Sequence, residues 1–381
     1  MSAQALIARA STIIDQISPD SPADFVLRKN VGADRDLLPD AKRALVRAVF
    51  SYYRWFGWLE AKAPTHRRVA MALELQERFD ADNHAIKPEA LAARAVPDWL
   101  ATEVDLSPDY LRQLQRDPTL YIRVQREFAT TLPRSLGNTT PIDCNVLSDI
   151  GSKGDGTAFS YNGKRDLHIV DEFKQGLFEI QDLGSQLVGH ACAPQPGETW
   201  WDTCAGQGGK TLHLADLMDN RGLIWASDRH TGRLAHLRKR AARAQVFNYR
   251  AVVWNGGPVL PTKTKFDGIL IDAPCSGVGT WQRNPHARWT TTLDDVKELA
   301  EIQLQLLNHA APALKPGDKL IYAVCTLTRS ETTAVADAFG AAHPELEPLA
   351  LPFPGEPAQH FIRPEQLNCN GMFLAAWRRR A

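Results

Sequence analysis

Two cysteines stand where the sequence predicts the ends of two β-strands. The apolar run FDGILID ends at Asp272 and is followed by Ala-Pro and Cys275, while the run DKLIYAV is followed directly by Cys325. A predicted crossover helix separates the runs, so the strands are expected to be parallel neighbours. Ligands bind at the carboxyl ends of the strands in an open α/β sheet, where these thiols and the carboxylate would face one pocket. A thiol in that place can act as a nucleophile.

The other cysteines are interpreted differently. A cysteine taken at random is most often a small buried hydrophobic residue, and we adopt this interpretation for Cys144, Cys192 and Cys369. Cys204 lies inside a glycine-rich loop and is interpreted as a residue that shapes the backbone. The six cysteines lack the CxxC pairs of a metal site and the dense spacing of a secreted disulfide scaffold. Free thiols and no bound metal are therefore expected.

The glycine-rich loop, DTCAGQGGKT, spans residues 202–211 between a predicted strand and a predicted helix. Glycines let the backbone approach a ligand closely, and the helix amino terminus offers free N–H groups, so a nucleotide-like cofactor is expected there. The spacing matches neither GxGxxG nor GxxxxGK[ST], which disfavours NAD and ATP, and it suits S-adenosylmethionine better. The next predicted strand ends at Asp228, whose carboxylate can accept ribose hydroxyls. An ordinary turn with a surface aspartate is the weaker alternative.

Three regions with different patterns of apolar residues follow one another along the 381 residues. Residues 1–94 place apolar side chains three and four apart between prolines, which predicts an all-α helical domain. Residues 95–175 mix helix and strand patterns, which predicts a small α+β module. Residues 176–381 alternate short apolar runs with amphipathic helices, which is typical of a doubly wound α/β domain with a parallel sheet.

Composition sets weak limits on function. The chain has 44 basic and 44 acidic residues, and a net charge of zero gives no support for a polyanionic partner. The segment 229–243 carries six arginines or lysines and no acid, which suits either a solvated helix face or a phosphate-binding one. No apolar stretch is long enough to cross a membrane and no signal-peptide pattern is present, so a cytoplasmic protein without a membrane partner is expected.

Four segments together resemble the RsmB/Nop/Sun family of RNA cytosine methyltransferases: DTCAGQGGKT, Asp228 with Arg233, IDAPCSGVGTWQRNP and YAVCTLT. The likeness covers about residues 176–377, and the amino-terminal helices resemble loosely the antiterminator-like domain of bacterial ribosomal-RNA members. It implies a Rossmann-like, seven-stranded methyltransferase sheet and S-adenosylmethionine as cofactor. The residues that it implies for cofactor binding are Cys204, Ala205, Gly206, Gln207, Gly208, Gly209, Lys210, Asp228, Arg233, Asn255 and Asp272.

The resemblance also implies catalytic roles. Cys325 matches the family nucleophile, and Cys275 matches the cysteine that assists product release. Lys210 and Asp272 match residues that contact the target base. Arg283 matches the second arginine of the family motif RRNP, here written QRNP.

Three positions depart from the family pattern. Val324 stands where the family usually has threonine, which removes a hydroxyl from the site. Asn255 stands where the family usually has an acid; its amide can accept a hydrogen bond but brings no charge, so weaker cofactor binding is expected. Gln282 replaces the first arginine of RRNP, so one phosphate contact is expected to be missing.

The chemistry expected of such a site begins with the thiolate of Cys325, which adds to carbon 6 of cytosine and activates carbon 5 for methylation. Because only the thiolate attacks, nearby positive charge such as Lys210 is predicted to lower the pKa of Cys325. Asp272 is expected to hydrogen-bond the pyrimidine edge and to assist proton transfer. The target cytosine must be single-stranded or extruded from a helix.

The amino-terminal helices favour ribosomal RNA as the substrate, with 5-methylcytosine as the product. Three alternatives stay open from the sequence. The first is a transfer-RNA cytosine methyltransferase, the second a catalytically silent RNA-binding or ribosome-assembly factor, and the third a DNA cytosine methyltransferase. The α+β module and the basic segment 229–243 are the predicted phosphate contacts.

Overall fold

The computed structural model describes residues 1–18, 20–34, 37–142 and 156–381. Two compact units, each discontinuous in sequence, make up the chain. The first unit comprises Met1–Pro118, Gly277–Asp295 and Pro364–Asn368, and the second comprises Thr119–Ser276, Val296–Arg363 and Cys369–Ala381. The predicted boundaries after residues 94 and 175 differ from the limits of these units, and the three-domain division stays a prediction. Cys144 lies outside the described residues.

The first unit is helical, as the spacing of apolar residues predicts. Its α-helices are Ala3–Ile14, Ala23–Ala33, Pro39–Arg54, Thr65–Ala81, Pro88–Arg94, Pro108–Gln113 and Pro364–Leu367. Three of these helices begin at Pro39, Pro88 and Pro108, where the missing N–H costs no hydrogen bond and the fixed φ suits a helix. Trp55 is wholly buried and meets Phe79 edge to face. Among the described residues, no helix combines the length and apolar character that a membrane span needs.

A buried guanidinium joins the segment 277–295 to these helices. Arg288 is wholly buried, and its Nη atoms donate to the carbonyl oxygens of Ala95 at 2.8 Å and Leu114 at 2.9 Å. Burial lowers the pKa of Arg288 to about 9. Backbone carbonyls thus satisfy a charge that would otherwise be costly to bury.

Among its described residues, the second unit contains a small antiparallel sheet of four strands. These are β1 (Tyr121–Val124), β2 (Thr139–Pro141), β3 (Ala158–Tyr161) and β4 (Phe178–Ile180), in the order β2-β3-β1-β4. Two short helices, Leu132–Leu136 and Asp171–Lys174, accompany the sheet. Its buried side chains include Ile122, Val124, Phe159 and Phe178. The strand β4 lies beyond residue 175, the predicted end of the α+β module.

The large sheet of the second unit contains the predicted parallel strands. They are β5 (Thr199–Asp202), β6 (Leu223–Asp228), β7 (Tyr249–Val253), β8 (Phe266–Asp272) and β9 (Leu314–Val324), followed by β10 (Leu346–Pro348), β11 (Gln359–Ile362) and β12 (Met372–Arg379). The accompanying helices are Leu183–Cys192, Gly209–Leu217, Thr231–Arg243, Leu293–Ala310 and Thr333–Ala342. The order is β10-β12-β9-β8-β5-β6-β7, and the neighbours from β9 to β7 are parallel. The Rossmann-like α/β class predicted from the sequence is confirmed.

The strand count differs from the expected seven, because this sheet has eight strands among the described residues. Both β10 and β11 pair antiparallel with β12, at opposite ends of it: Leu346 faces Arg379, and Ile362 faces Met372. The two short strands therefore share one edge of the sheet. The sheet has seven strand positions, and one of them is divided between two strands.

Charged pairs join the small sheet to two of the helices that accompany the large sheet. Glu179 on β4 is buried and accepts hydrogen bonds from both Arg240 and Arg243 of the helix Thr231–Arg243. Arg123 on β1 is buried as well and pairs with Asp216 at 2.7 Å. Two of the six basic residues in the segment 229–243 thus stabilise the fold through Glu179. The segment is therefore neither uniformly exposed to solvent nor uniformly available to phosphates.

Candidate active site

The two strand-end thiols lie against each other. β8 and β9 are parallel neighbours whose register pairs Asp272 with Ala323, so both chains leave the sheet at the same edge. The Sγ atoms of Cys275 and Cys325 are 3.2 Å apart. A thiol can donate a weak hydrogen bond to a second sulfur at this distance. The prediction that the two strands are parallel neighbours is confirmed, and the thiols meet where they end.

The surroundings of Cys325 favour its thiolate. The hydrogen bond from the thiol of Cys275 is the main influence, and it lowers the pKa of Cys325 despite the opposing effect of burial. Asp272 acts to raise that pKa and Lys210 to lower it, both more weakly. The predicted direction of the shift is therefore found, but its main cause is the second cysteine and not the lysine.

Lys210 and Asp272 form an ion pair between two elements of the site. Lys210 lies in the first turn of the helix Gly209–Leu217, Asp272 ends β8, and Nζ is 2.7 Å from Oδ2. Burial alone would lower the pKa of Lys210, but the ion pair and hydrogen bond with Asp272 outweigh it, and the pKa is raised. The lysine is therefore a stable cation at neutral pH, and it holds the carboxylate in place.

The glycine-rich loop joins β5 to the helix Gly209–Leu217, as predicted. Gly208 has φ of 87°, and a Cβ atom there would come 2.7 Å from Cγ of Leu237, so both conformation and space require glycine. In contrast, a Cβ atom on Gly209 would meet nothing within 4 Å. The loop is thus packed against the protein at one glycine and open to a ligand at the next.

Asp228 ends β6 and faces this loop. Its Oδ2 accepts the N–H of Gly206 at 3.0 Å, and its Oδ1 accepts the N–H of His230 at 2.7 Å. Each carboxylate oxygen can still accept another hydrogen bond, as ribose hydroxyls would require. Arg233 approaches Oδ2 of Asp228 to 3.9 Å. The open backbone at Gly209 and the carboxylate at the strand end together suit a nucleoside cofactor such as S-adenosylmethionine.

Other residues predicted to bind the cofactor are buried or make hydrogen bonds within the protein. The pKa of Cys204 is raised by burial to about 12, which suits the structural interpretation of this thiol. The backbone carbonyl of Gln207 accepts a hydrogen bond from Arg240. Asn255 follows β7, and its Oδ1 accepts the N–H of Gly257 at 3.0 Å, so part of its hydrogen-bonding capacity is used within its own turn.

The motif QRNP belongs to the helical unit and not to the unit of the thiols. Arg283 and Gln282 both lie in the segment Gly277–Asp295. Gln282 is buried, and its amide nitrogen donates to Oδ1 of Asn368 at 3.1 Å. Gln282 is thus part of the packing of the helical unit, and the missing phosphate contact at this position stays a prediction.

Reasoning from the sequence missed two polar side chains behind the thiols. Glu331 is wholly buried just after Cys325, and Gln303 is wholly buried on the helix Leu293–Ala310. Nε2 of Gln303 donates to Oε1 of Glu331 at 3.0 Å and to the carbonyl of Pro274 at 2.9 Å. The only sequence signal was an acid among the hydroxyl residues of CTLTRSE.

Residues 190–378 match the family model described as 16S rRNA methyltransferase RsmB/F. These residues form a methyltransferase domain of the RsmB/F family. The domain carries the strands β5 to β9, the glycine-rich loop and both thiols. Val324, its departure from the family's threonine, is wholly buried at the end of β9.

Curated relatives agree with the RsmB/F assignment. The chain is 36% identical over 220 residues to a probable ribosomal RNA small subunit methyltransferase B of Bacillus subtilis, covering 55% of this chain and 49% of the relative. It is 39% identical over 175 residues to the probable protein of that name in Synechocystis sp., covering 45% and 39%. The chain spans half or less of the length of these relatives.

Solved structures share the fold. The crystal structure of PH0851 aligns over 100% of this chain and 99% of its own, with a TM-score of 0.80 and 22% identity. A methyltransferase homolog protein from Pyrococcus horikoshii aligns over 72% of this chain and 90% of its own, with a TM-score of 0.60 and 26% identity. The likeness to PH0851 thus extends beyond the RsmB/F domain.

Proposed function

We propose that this chain is an S-adenosylmethionine-dependent RNA methyltransferase that modifies carbon 5 of a cytosine in ribosomal RNA. The observation that carries the proposal is the pair of thiols, Cys275 and Cys325, 3.2 Å apart at the ends of two parallel strands. A single buried cysteine is most often a small hydrophobic residue of the core. Two adjacent thiols at a ligand-binding edge of the sheet instead suit covalent chemistry. The names of the relatives support ribosomal RNA as the substrate.

The reaction begins at Cys325. Its sulfur forms a bond to carbon 6 of the cytosine, and the electron pair of the C5–C6 double bond moves towards carbon 5. The cofactor, when bound, would supply the methyl group of its sulfonium to carbon 5, and its sulfur would be left as a neutral thioether. The hydrogen bond from Cys275 lowers the pKa of Cys325, which favours the attacking thiolate.

Release of the product requires a base and a positioned ring. Cys275 lies beside the attacking sulfur, and once its own thiol has lost its proton to water, it can take the proton from carbon 5. The electron pair then returns to the C5–C6 bond, and Cys325 leaves as a thiolate. Asp272, held by Lys210, hydrogen-bonds the pyrimidine edge and takes part in proton transfer, a contribution of about 10² to 10⁴ in rate.

The residues that hold S-adenosylmethionine are those of the glycine-rich loop and the next strand end. Asp228 would accept the ribose hydroxyls, and Arg233 lies beside it. Backbone groups of the loop 204–210 approach the cofactor at the open glycines, and Asn255 lies after the neighbouring strand β7. NSun6 from Pyrococcus horikoshii, which shares the fold with a TM-score of 0.60 and 18% identity, was crystallised with an analogue of S-adenosylmethionine.

RNA phosphates bind to the arginine and lysine side chains that the fold leaves exposed. Arg229, Arg238 and Lys239 are exposed in the segment 229–243, whereas Arg240 and Arg243 are engaged by Glu179. Binding to single-stranded RNA should weaken with salt in proportion to the number of phosphates that are neutralised. Substitution of Arg238 and Lys239 by glutamine should reduce that salt dependence.

The decisive experiment compares three cysteine variants in methyl transfer to matched RNA and DNA oligonucleotides. Cys325→Ser should abolish methylation and give no covalent product. Cys275→Ser should accumulate protein linked to RNA on a denaturing gel, because elimination of Cys325 is blocked. Cys369→Ser is the control: it replaces a buried thiol that donates to the carbonyl of Asn370, a bond that a hydroxyl can also make.

Each other outcome points elsewhere. Methylation by Cys325→Ser would refute the covalent role of that residue, and adduct accumulation in Cys325→Ser but not in Cys275→Ser would reverse the two roles. Methylation of DNA alone, or of transfer RNA alone, would change the substrate class. RNA binding without any methylation by the unaltered chain would indicate a silent RNA-binding or assembly factor. Bisulfite sequencing of cellular RNA with and without the gene would then locate the modified cytosine.

A further inference from the structure

Glu331 is a wholly buried acid that joins the two loops carrying the thiols. Its Oε1 accepts the backbone N–H of Ser276 at 2.8 Å and Nε2 of Gln303 at 3.0 Å. Its Oε2 accepts the hydroxyls of Ser276, Thr326 at 3.0 Å and Thr328 at 2.8 Å. Ser276 directly follows Cys275, and Thr326 directly follows Cys325.

The five donors surrounding this carboxylate are all neutral. A carboxylate has about four lone-pair sites, so five hydrogen bonds use its whole accepting capacity. Burying an acid in this way is costly unless every site is used, and Glu331 lies outside the set of residues that would touch the base or the cofactor in the proposed reaction. Its hydrogen bonds hold the two thiol-bearing loops together.

We propose that Glu331 is a positioning residue that sets the spacing between the Cys275 and Cys325 thiols by tying Ser276 and Thr326 to one carboxylate. The inference rests on the proposed function for its catalytic meaning, but the spacing itself exists in the free protein. Gln303 completes the arrangement, because the same amide group donates to Glu331 and to the carbonyl of Pro274, next to Cys275.

Two conservative variants separate the effect of side-chain length at position 331 from the effect of its negative charge. Glu331→Asp keeps the negative charge but shortens the side chain by one methylene, so the carboxylate can no longer reach both loops. Glu331→Gln keeps the length: its oxygen can accept from Ser276 N–H and Gln303, while its amide can donate to the hydroxyl oxygens opposite. If Glu331 acts by position, the aspartate variant should lose the thiol spacing and the glutamine variant should retain it.

The readout is the rate of alkylation of Cys325 against pH, measured by iodoacetamide labelling and mass spectrometry on the free chain. Loss of the hydrogen bond from Cys275 should raise the alkylation midpoint of Glu331→Asp by about one pH unit, which lowers the rate at pH 7 about tenfold. Glu331→Gln should not raise the midpoint, because removing a nearby negative charge acts in the opposite direction.

A double variant tests whether Glu331 acts through Cys275. In a Cys275→Ala background the hydrogen bond is already absent, so adding Glu331→Asp should not raise the midpoint further. Independent effects would add. Additivity, or an unchanged midpoint in Glu331→Asp alone, would overturn the proposal.

A second pair of substitutions decides the question if the Glu331 variants fold poorly. Thr326→Val removes a hydroxyl that contacts the carboxylate, whereas Thr332→Val removes an equally buried hydroxyl that donates to the carbonyl of Thr328. Only Thr326→Val should raise the alkylation midpoint, and equal shifts in both would contradict the proposal. None of these measurements needs RNA, so absence of methyl transfer by the unaltered chain would refute the proposed function while leaving this result intact.

Discussion

Asp202 predicts an unusual dependence of stability on pH. It ends β5, is wholly buried, and its Oδ2 accepts the hydroxyl of Thr211 at 2.6 Å. Among the side chains that the structure describes, none provides a hydrogen bond to its Oδ1. Burial raises the pKa of Asp202 from 3.8 to about 7. The folded chain therefore keeps this carboxyl protonated over a pH range in which the unfolded chain releases the proton.

The sign and size follow from proton binding. Between pH 3.8 and about 7 the folded state holds one more proton at Asp202 than the unfolded state, so stability falls as pH rises through this range. The slope is about 1.4 kcal/mol per pH unit well below the folded pKa and about half of that at the pKa, which gives a loss of about 2 kcal/mol between pH 5 and pH 7. Above that range the carboxyl is ionised in both states and the loss levels off.

The assay is urea unfolding of the unaltered chain and of Asp202→Asn at each pH from 5 to 8. The asparagine oxygen can still accept from Thr211, and the group no longer titrates, so the variant should gain about 3 kcal/mol relative to the unaltered chain across this range. Thr211→Val is the matched control: the hydrogen bond from Thr211 lowers the pKa of Asp202, so its removal should extend the loss to higher pH. A difference between Asp202→Asn and the unaltered chain that is constant with pH would refute the reasoning.

Three further predictions follow from buried charges. Burial holds the pKa of His213 well below 6.5, so its contribution to stability is lost as pH falls; His213→Leu should be less acid-sensitive than the unaltered chain between pH 7 and 5 in thermal unfolding. Arg288→Met leaves the carbonyls of Ala95 and Leu114 without a donor and should cost at least about 2 kcal/mol in thermal unfolding followed by circular dichroism. Asp272→Asn should lower kcat for RNA methylation by about 10² to 10⁴ while the fold, followed by the same method, persists; unchanged kcat would remove Asp272 from the mechanism.

The strand ends of the large sheet were predictable from the sequence for a simple reason. Strands buried on both faces appear as short apolar runs with polar turns after them, and FDGILID matches the observed β8 residue for residue. The glycine-rich loop was equally clear, because Gly208 needs a positive φ that other residues rarely adopt. Local sequence thus placed Asp272, Cys275 and Cys325 at one edge before any contact was known.

Contacts between distant segments could not be predicted in the same way. Glu331 has the residue type of a solvated turn, and only the meeting of β8, β9 and the helix Leu293–Ala310 surrounds it with donors. In the sequence, Arg240 and Arg243 look like the other basic residues of their segment. Only the fold shows that both donate to Glu179, which lies about 60 residues earlier. The strand β4 lies beyond the predicted limit at residue 175, and its pairing with β1 is a long-range contact that local sequence does not indicate.

The zero net charge of the chain conceals how its charges are distributed in the fold. Several acids and bases neutralise one another inside the fold: Glu179 with Arg240 and Arg243, Arg123 with Asp216, and Lys210 with Asp272. Charges sequestered in this way contribute little to the field at the surface, because the partner cancels each one within a few ångströms. Affinity for a polyanion depends on the bases that remain exposed, such as Arg238 and Lys239. These pairs engage four bases and three acids, so they do not make the remaining surface more positive. Binding of RNA by a neutral chain therefore depends on where the exposed basic residues cluster, and the segment 229–243 contains no acid among them.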